Sequence, residues 1–307
     1  MAQTQGLPGG ITVLERGWLS ANNILFHGSG RTALVDSGYV THAQQTVALV
    51  RQALKGRPLE LLANTHLHSD HCGGNAVLQS EYPAVETLIP PGLAEHVRNW
   101  DPVALTYVPT GQQCPRFRME GLLNPNTEVL LGERMWQVHG APGHDPHSVV
   151  LFEPLSSVLI SADSLWSNGF GIVFQELEGE EAFDEVGATL DLIASLQPRV
   201  VIPGHGPVFT DLDSALAAAR RRLDGFTRDP TKHAAHAAKV LLKFKLLELQ
   251  RQRLADLKRW AAVTPYVEMV HRLWFSDIDL EAWIDRLADD LVRSGAARRE
   301  REWLLNA

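Results

Sequence analysis

Apolar and polar positions divide this 307-residue chain into two parts with different patterns. The first two-thirds contain short apolar runs broken by Gly, Pro and Asn, a pattern typical of strands. The predicted strands cover residues 11–14, 23–26, 32–35, 59–65, 149–152, 157–160 and 199–202. Helical spacing of apolar residues predicts helices over 42–54 and 182–196. Strands mixed with intervening helices indicate a layered α/β domain.

From Asp211 onward the pattern becomes helical. Predicted helices cover 212–226, 239–260, 265–275 and 280–292, and a short strand is predicted over 302–305. Gly295 is a plausible stop for the last helix. Residues 228–238 are the best linker candidate. We therefore predict two domains, a catalytic domain over 1–227 and a mainly helical domain over 228–307.

One six-residue run stands out chemically, because His66, His68, Asp70 and His71 all lie within it. Imidazole and carboxylate together suit Zn²⁺ or a similar divalent metal. The run follows the predicted strand 59–65, so a rigid element can aim its side chains outward.

Three more candidates stand at predicted strand ends or turns, beside Gly or Pro. His144 lies in Pro-Gly-His-Asp-Pro, Asp163 follows a strand directly, and His205 lies in Pro-Gly-His-Gly-Pro. Alone, each would more readily be a turn residue. Together with the first run they supply five histidines and two aspartates.

In this order, the His-x-His-x-Asp-His run, the Gly-His turn, the lone Asp and the Pro-Gly-His turn resemble the metallo-β-lactamase superfamily. The match covers about residues 11–226, and Asp36 in Leu-Val-Asp-Ser-Gly resembles the family's supporting strand-end Asp. The resemblance implies a four-layer αβ/βα sandwich with a metal site at one edge between two sheets.

The resemblance also implies the ligands of a binuclear centre. His66, His68 and His144 would hold one ion, Asp70, His71 and His205 the second, and Asp163 would bridge both. Two divalent ions are expected, with Zn²⁺ preferred and Fe or Mn compatible with the same ligands. A hydroxide shared by the two metals would attack the substrate, and Asp70 could orient it as a catalytic residue.

Two positions narrow the chemistry. Asp at 163, where some relatives have Cys, resembles glyoxalase II and lactonases. His at 68, where the flavodiiron relatives have Glu, favours hydrolysis over oxygen reduction. A mononuclear iron persulfide dioxygenase stays an alternative, and it would need only His66, His144 and Asp163.

A substrate pocket is predicted beside the metal ligands. Trp166, Phe170 and Phe174 follow Asp163 and could wall an apolar pocket, although core packing would explain one or two of them equally well. His147, where relatives usually have Gly, could face the substrate or be a surface residue in a turn.

The helical tail resembles two different relatives. Glyoxalase II ends in a helical domain that contributes to binding of the glutathione thioester, whereas a lactamase-like endoribonuclease ends in a small winged-helix-like domain. The predicted helices followed by a short strand look more like the second arrangement. Packing or dimerisation is the expected role, and a homo-oligomer is compatible with the sequence.

Charge and cysteine content restrict partners and location. The net charge of −8 is uneven, because residues 1–210 hold 10 Lys and Arg against 21 Asp and Glu. This acidic catalytic domain argues against nucleic acid as a partner. Only two cysteines are present, and the sequence shows neither a signal peptide nor an apolar run long enough for a membrane span. We expect a cytoplasmic protein without a membrane partner.

The leading hypothesis is a binuclear metal-dependent hydrolase of a small acyl substrate, most readily a thioester. A lactonase or esterase would use the same chemistry. An endoribonuclease on single-stranded RNA is the runner-up, and a non-enzymatic sensor with a degenerate site is disfavoured by the intact set of seven ligands.

Overall fold

The computed structural model describes residues 6–307, which form two compact units. The first unit contains the described residues up to Leu105 together with Gln113–Asp224. The second contains Thr106–Gln112 and Gly225–Ala307. The break after Asp224 lies close to the predicted domain boundary, which stays a prediction. Residues 1–5, on which the expected lack of a signal peptide partly rests, lie outside the described residues.

Two mixed sheets build the first unit. The first sheet has the spatial order β1 (Ile11–Leu14), β2 (Asn23–Phe26), β3 (Ala33–Val35), β4 (Leu61–Ala63), β5 (Glu86–Ile89) and β6 (Gly121–Leu122). The second has the order β11 (Val200–Pro203), β10 (Val158–Ala162), β9 (Val149–Glu153), β8 (Arg134–Gly140) and β7 (Thr127–Leu131). Strands β3 to β6 pair in parallel, as do β10 and β11, and the other pairs are antiparallel.

Helices and one 3₁₀ turn connect these strands or follow them along the chain. The 3₁₀ turn covers Val40–His42, and the helices are α1 (Ala43–Leu54), α2 (Ser69–Cys72), α3 (Asn75–Glu81), α4 (Ala94–Asn99), α5 (Tyr107–Thr110), α6 (Phe174–Glu178), α7 (Ala182–Leu196), α8 (Leu212–Arg228), α9 (Pro230–Leu249), α10 (Leu254–Ala262), α11 (Pro265–Trp274) and α12 (Leu280–Arg293). Within residues 6–307, no helix is both long and apolar enough to cross a membrane.

A shared apolar core holds the two sheets together. Phe26 and Val35 of the first sheet lie in one cluster with Trp136, Leu151 and Ile160 of the second. Side chains of a strand alternate between its two faces, so the remaining apolar residues point outward and need helices to cover them.

On the outer face of the first sheet, Val47, Val50 and Leu54 of α1 pack with Leu34 and Leu62. Their spacing along α1 places them on one side of the helix. The predicted α/β sandwich followed by a helical region is confirmed.

The second unit combines helices α9 to α12 with a small antiparallel sheet. Its strands are β12 (Arg251–Arg253), β13 (Ala297–Glu300) and β14 (Trp303–Asn306), in the spatial order β12, β14, β13. The winged-helix assignment of this unit stays a prediction.

Two sequence predictions for this unit are wrong. The helix predicted over 239–260 is broken at Gln250, whose φ of +64° lies in the left-handed region, and a strand follows it. The proposed linker 228–238 lies mostly inside α9. Asp229 caps that helix by accepting a hydrogen bond from the backbone N–H of Lys232, and Pro230 occupies its first turn.

Candidate metal centre

The predicted ligands all follow carboxyl ends of strands. The run from His66 to His71 follows β4, Asp163 follows β10 and His205 follows β11. His144 follows β8, which runs in the same direction as β10 because each is antiparallel to β9. The fold therefore brings together residues that are widely separated in sequence.

Three imidazoles form the first cluster, which we call the three-histidine group (His66, His68 and His144). His68 Nδ1 lies 3.1 Å from His66 Nε2 and 2.9 Å from His144 Nε2. Ligands of a tetrahedral zinc ion at about 2.0–2.1 Å lie roughly 3.3 Å apart. The three nitrogens therefore have close to the spacing of ligands around one ion.

A second cluster, the mixed group, contains Asp70, His71, Asp163 and His205. His205 Nε2 lies 3.1 Å from Asp70 Oδ2, and His71 Nε2 lies 3.4 Å from Asp163 Oδ1 and 3.9 Å from Asp70 Oδ2. Ligand atoms of all four residues lie within 4.8 Å of one another. Nitrogen and oxygen donors at this spacing suit a divalent ion.

Asp163 lies between the two groups. Its Oδ2 is 3.5 Å from His144 Nε2 of the three-histidine group and 3.8 Å from His205 Nε2 of the mixed group. One carboxylate oxygen therefore faces both clusters.

Asp36 holds His71 from behind. Asp36 Oδ2 accepts a 2.8 Å hydrogen bond from His71 Nδ1, and its oxygens also accept from the backbone N–H and hydroxyl of Thr65 at 2.9 and 2.8 Å. A proton on Nδ1 leaves the Nε2 lone pair directed at the mixed group. The sequence-predicted supporting residue thus contacts a site histidine.

Three of the other four histidines also face an acceptor with the nitrogen that points away from the site. His144 Nδ1 donates to the carbonyl of Ile172 at 2.6 Å, and His205 Nδ1 donates to the carbonyl of Gly17 at 3.2 Å. His66 Nδ1 lies 3.2 Å from Thr65 Oγ1. This pattern fixes ring orientation and tautomer, as outer partners do for metal-binding histidines.

The three-histidine group is electrically neutral near pH 7. Burial lowers the pKa of His144 to about 4, and neighbouring charge from His68 acts in the same direction. Burial, followed by the neighbouring imidazoles, holds the pKa of His66 well below its usual value, and burial also lowers the pKa of His68. Neutral imidazoles keep their lone pairs available for a cation.

The mixed group has the opposite electrostatics. Burial acts to lower the pKa of His71, but the carboxylates of Asp163, Asp36 and Asp70 outweigh it and raise that pKa well above its usual value. Burial also acts to lower the pKa of His205, but the carboxylates of Asp163 and Asp70 outweigh it and raise that pKa. Without a metal ion, these imidazoles retain protons that balance the buried carboxylates.

Two local features fit a bound cation. The buried His71 Nε2 has no hydrogen-bond partner among residues 6–307, although it points at the Asp163 carboxylate. At Gly204, a Cβ atom would lie 2.1 Å from Asp163 Oδ1 and 3.0 Å from His71 Cε1. Glycine thus leaves the space that the ligands need, and the side-chain groups are positioned to bind metal ions.

The four predicted pocket residues lie in different surroundings. Trp166 is partly exposed and donates from Nε1 to Asp163 Oδ1 at 3.1 Å, and the Phe174 ring lies 6.5 Å from that of His68. Phe170 is buried in the interior, and the His147 ring packs over Gly92. Trp166 and Phe174 therefore lie beside the site, while the assignment of all four to a substrate pocket stays a prediction.

Sequence reasoning missed Trp18. Its ring stacks on His205 with centroids 5.4 Å apart and meets Trp166 edge-on at 5.3 Å, yet 57% of Trp18 is exposed. An exposed tryptophan beside buried ligands is a surface that a substrate can contact. No local signal marks it, because Trp166 and His205, which it contacts, lie 148 and 187 positions further along the chain.

Asn22 was also missed. Its side-chain amide donates to the carbonyls of Pro203 and Gly206 at 2.9 and 2.8 Å, and its backbone N–H donates to Gly204 at 2.7 Å. These bonds hold the turn that carries His205. An asparagine after a turn is too common a feature to have indicated this role.

The comparisons with known proteins agree with this geometry. A hydroxyacylglutathione hydrolase of Brucella anthropi is 26% identical over 217 residues, which cover 68% of this chain and 65% of that protein. A protein of the same name from Anaeromyxobacter dehalogenans is 30% identical over 221 residues, covering 70% of this chain and 72% of the relative. The chain thus spans just under two-thirds of the first relative.

A crystal structure of a β-lactamase domain protein from Burkholderia ambifaria shares the fold with a TM-score of 0.59. It is 18% identical, and the match covers 100% of this chain and 97% of that one. The family model of the metallo-β-lactamase superfamily matches residues 16–205, which include every predicted ligand. The prediction of a metal-dependent hydrolase of this superfamily agrees with these findings. The chain belongs to the metallo-β-lactamase superfamily.

Proposed function

We propose that this protein is a hydrolase that holds two divalent ions and cleaves small acyl compounds, with thioesters as its main substrates. The observation that supports this most directly is the position of Asp163 Oδ2, 3.5 Å from one ligand group and 3.8 Å from the other. The two relatives named hydroxyacylglutathione hydrolase support the choice of a thioester.

Each group would hold one ion. His66, His68 and His144 would bind the first, Asp70, His71 and His205 the second, and Asp163 would contribute to both. Zinc is the preferred ion because it accepts imidazole and carboxylate without a strict geometry, and iron or manganese fits the same donors.

The protein's own residues would then supply orientation. When bound, two divalent ions would supply polarisation of an acyl carbonyl and activation of a water molecule near neutral pH. The side chain of Asp70 is 14% exposed, against 7% for Asp163, so Asp70 is the carboxylate of the mixed group that water reaches more easily. We assign Asp70 the task of orienting the attacking water, as its place in the sequence motif predicted.

An apolar acyl group would lie against aromatic side chains. The Trp18 ring stacks on His205 and meets the Trp166 ring edge-on, and the Phe174 ring lies near that of His68. Their rings would exclude water from the acyl chain and leave the carbonyl at the ions. The proposed partner is therefore a small molecule, and a cytoplasmic location is kept as part of this proposal.

The test is a hydrolysis panel on one preparation with its metal content measured. The substrates are a hydroxyacylglutathione, an acyl-CoA, a lactone, a β-lactam and single-stranded RNA. We expect about two ions per chain, as in other two-metal hydrolases, and the highest kcat/KM for a thioester. A chain without tightly bound metal contradicts the proposal.

RNA is the discriminating arm of this panel. RNA cleavage without acyl hydrolysis, together with binding that weakens steeply as salt rises, would identify an endoribonuclease instead. If a lactone were preferred over both thioesters, the proposed metal site and its hydrolytic chemistry would stand, but the substrate class would be lactones.

A further inference from the structure

We propose that Trp166 is a positioning residue that fixes the rotation of the Asp163 carboxylate, so that one oxygen, Oδ2, joins the two ligand groups. The inference rests on the proposed two-metal function and adds a residue to it. Its basis is the indole N–H that points into the site, where Asp163 also lies close to His71, His144 and His205.

The two oxygens of Asp163 have different surroundings. Oδ1 accepts the 3.1 Å hydrogen bond from Trp166 Nε1 and lies 3.4 Å from His71 Nε2. Oδ2 lies 3.5 Å from His144 Nε2 and 3.8 Å from His205 Nε2. Rotation of the carboxylate would exchange these positions. A donor that holds Oδ1 therefore keeps Oδ2 between the groups.

The backbone around Trp166 is held in place by three hydrogen bonds. Trp166 N–H donates to the carbonyl of Gly169 at 2.7 Å, and Gly171 N–H donates to the carbonyl of Asp163 at 2.8 Å. The Ser161 hydroxyl donates to the carbonyl of Leu165 at 2.6 Å. The turn from 163 to 171 is thus closed on itself, and it fixes where the indole lies relative to the carboxylate.

Gly169 gives this turn its shape. Its φ of +125° belongs to the range that favours glycine, and a Cβ there would lie 2.4 Å from an Arg222 guanidinium nitrogen. That guanidinium donates to the carbonyl of Phe170 at 3.1 Å. The turn is therefore held from outside as well as from within, so the indole cannot drift easily from Asp163.

Indole suits this task chemically. Its Nε1–H is a donor without an acceptor lone pair, so it can bind a carboxylate but cannot compete with that carboxylate for a cation. A hydrogen bond to an ionised carboxylate is stronger than one between neutral groups. Phenylalanine at position 166 would keep a ring in this place and release Oδ1.

Trp18 provides a matched control. It lies on the same side of the site, with its ring stacked on His205 and 5.3 Å from the Trp166 ring. The Trp166 indole N–H donates to Asp163, whereas the Trp18 ring contacts Trp166 and His205. Trp18→Phe therefore removes an equally large indole beside the mixed group without removing the hydrogen bond to Asp163.

The experiment uses the full chain, stripped of metal with a chelator, as wild type, Trp166→Phe and Trp18→Phe. Each is titrated with Co²⁺ while calorimetry records affinity and visible absorption records the ligand field of each ion. We expect two ions in the wild type. In Trp166→Phe, the weaker ion should lose affinity about 10- to 100-fold, as when other outer partners of metal ligands are removed.

The spectrum separates positioning from general damage. In Trp166→Phe the absorption of the second Co²⁺ should change while the affinity and absorption of the first ion stay at wild-type values, which also shows that the variant is folded. Trp18→Phe should match the wild type in both affinities and in both spectra.

Four outcomes would overturn the inference. Two ions with unchanged affinities and spectra in Trp166→Phe would remove the role of Trp166 and leave the proposed function standing. Equal weakening of both ions in that variant would indicate a general loss of structure at the site. The same weakening in Trp18→Phe would assign the effect to ring packing. Fewer than two ions in the wild type would overturn both this inference and the proposed function.

Discussion

The two ligand groups are neighbours, but the pKa values of their histidines are shifted in opposite directions. Burial and neighbouring imidazoles lower the pKa of each histidine in the three-histidine group, to about 4 for His144. In the mixed group, carboxylates outweigh burial and raise the pKa of His71 and His205. The histidines of the two groups thus differ in charge because carboxylates lie beside His71 and His205.

This difference in protonation determines whether a metal ion must displace protons when it binds. An ion entering the three-histidine group near pH 7 meets neutral nitrogens, whereas an ion entering the mixed group competes with protons held by the carboxylate–imidazole pairs. We therefore expect the three-histidine group to fill first. Asp163 belongs to the mixed group, but its Oδ2 also lies 3.5 Å from His144 Nε2. Under the proposed function, its carboxylate would couple the two binding events.

Loss of Asp163 should produce the largest effect. Asp163→Ala removes the oxygen that faces both groups and leaves the raised pKa of His71 without its largest carboxylate contribution. Since loss of outer partners alone typically weakens metal binding about 10- to 100-fold, loss of this ligand should weaken one ion more than about 100-fold. Elemental analysis and thioester turnover measure the result.

The control for this prediction is Asp191→Ala, which removes a surface carboxylate paired with Arg220. It should keep the metal content and turnover of the wild type. Two tightly bound ions in Asp163→Ala would contradict the bridging assignment.

Two glycine substitutions should each disturb one group. A Cβ at Gly204 would lie 2.1 Å from Asp163 Oδ1, and a Cβ at Gly171 would lie 2.3 Å from His144 Nδ1. Gly204→Ala should weaken the ion of the mixed group, and Gly171→Ala the ion of the three-histidine group. Because displacement by about 1 Å can cost about 100-fold in rate, turnover should fall by about that factor in both.

Gly225→Ala serves as the matched control, because a Cβ there would meet nothing within 4 Å. Stepwise metal titration distinguishes the three variants. If Gly204→Ala and Gly171→Ala weakened the same ion, the division into two groups would be wrong.

A smaller and more selective effect is expected from the supporting residues. Asp36→Asn replaces the carboxylate that accepts from His71 Nδ1, so the ion of the mixed group should bind about 10- to 100-fold more weakly. Thr65→Val removes the hydroxyl that lies beside His66 Nδ1 and donates to Asp36 Oδ2, so it should weaken the ion of the three-histidine group as well. Calorimetric titration of both variants compares them, and identical profiles would show that outer contacts do not discriminate between the groups.

The smallest expected effect is a difference in proton release between binding of the first and of the second ion. Raised pKa values at His71 and His205 mean that the mixed group must give up protons, while lowered values in the three-histidine group mean that it has few to release near pH 7. The affinity of the second ion should therefore rise with pH across neutrality, and that of the first should depend less on pH there.

Calorimetry in buffers of different ionisation enthalpy counts these protons. We expect about one more proton released on binding of the second ion than of the first. Equal proton release in the two steps would contradict the electrostatic contrast between the groups.

The candidate ligands could be selected from the sequence because their signal is local. Strand ends followed by His, Asp, Gly and Pro are recognisable one at a time, and the family resemblance assigned Asp163 and His205 to their groups. Side-chain contacts across the site leave no comparable pattern in the sequence. The donor role of Trp166 and the stacking of Trp18 depend on segments that meet only in the folded chain.

In the helical region, by contrast, a clear local pattern predicted the wrong structure. Residues 239–260 have a continuous helical pattern of apolar positions, yet Gln250 takes a left-handed φ and starts a strand that pairs with β14. Tertiary pairing overrode local propensity there. In contrast, Asp229 and Pro230 formed a recognisable helix start, and their cap was available in the sequence all along.

The bonds of Asn22 have a consequence for the order of folding. They join a residue near the start of the chain to a turn about 180 positions later, across the ends of both sheets. Contacts so distant in sequence form slowly, because a long loop must close before they are made. During synthesis, residues 17–22 emerge long before the turn that they hold. The three-histidine group is complete in sequence at residue 144, whereas the mixed group also needs His205, which follows β11. The capacity to bind the second ion therefore requires that β11 has joined the second sheet.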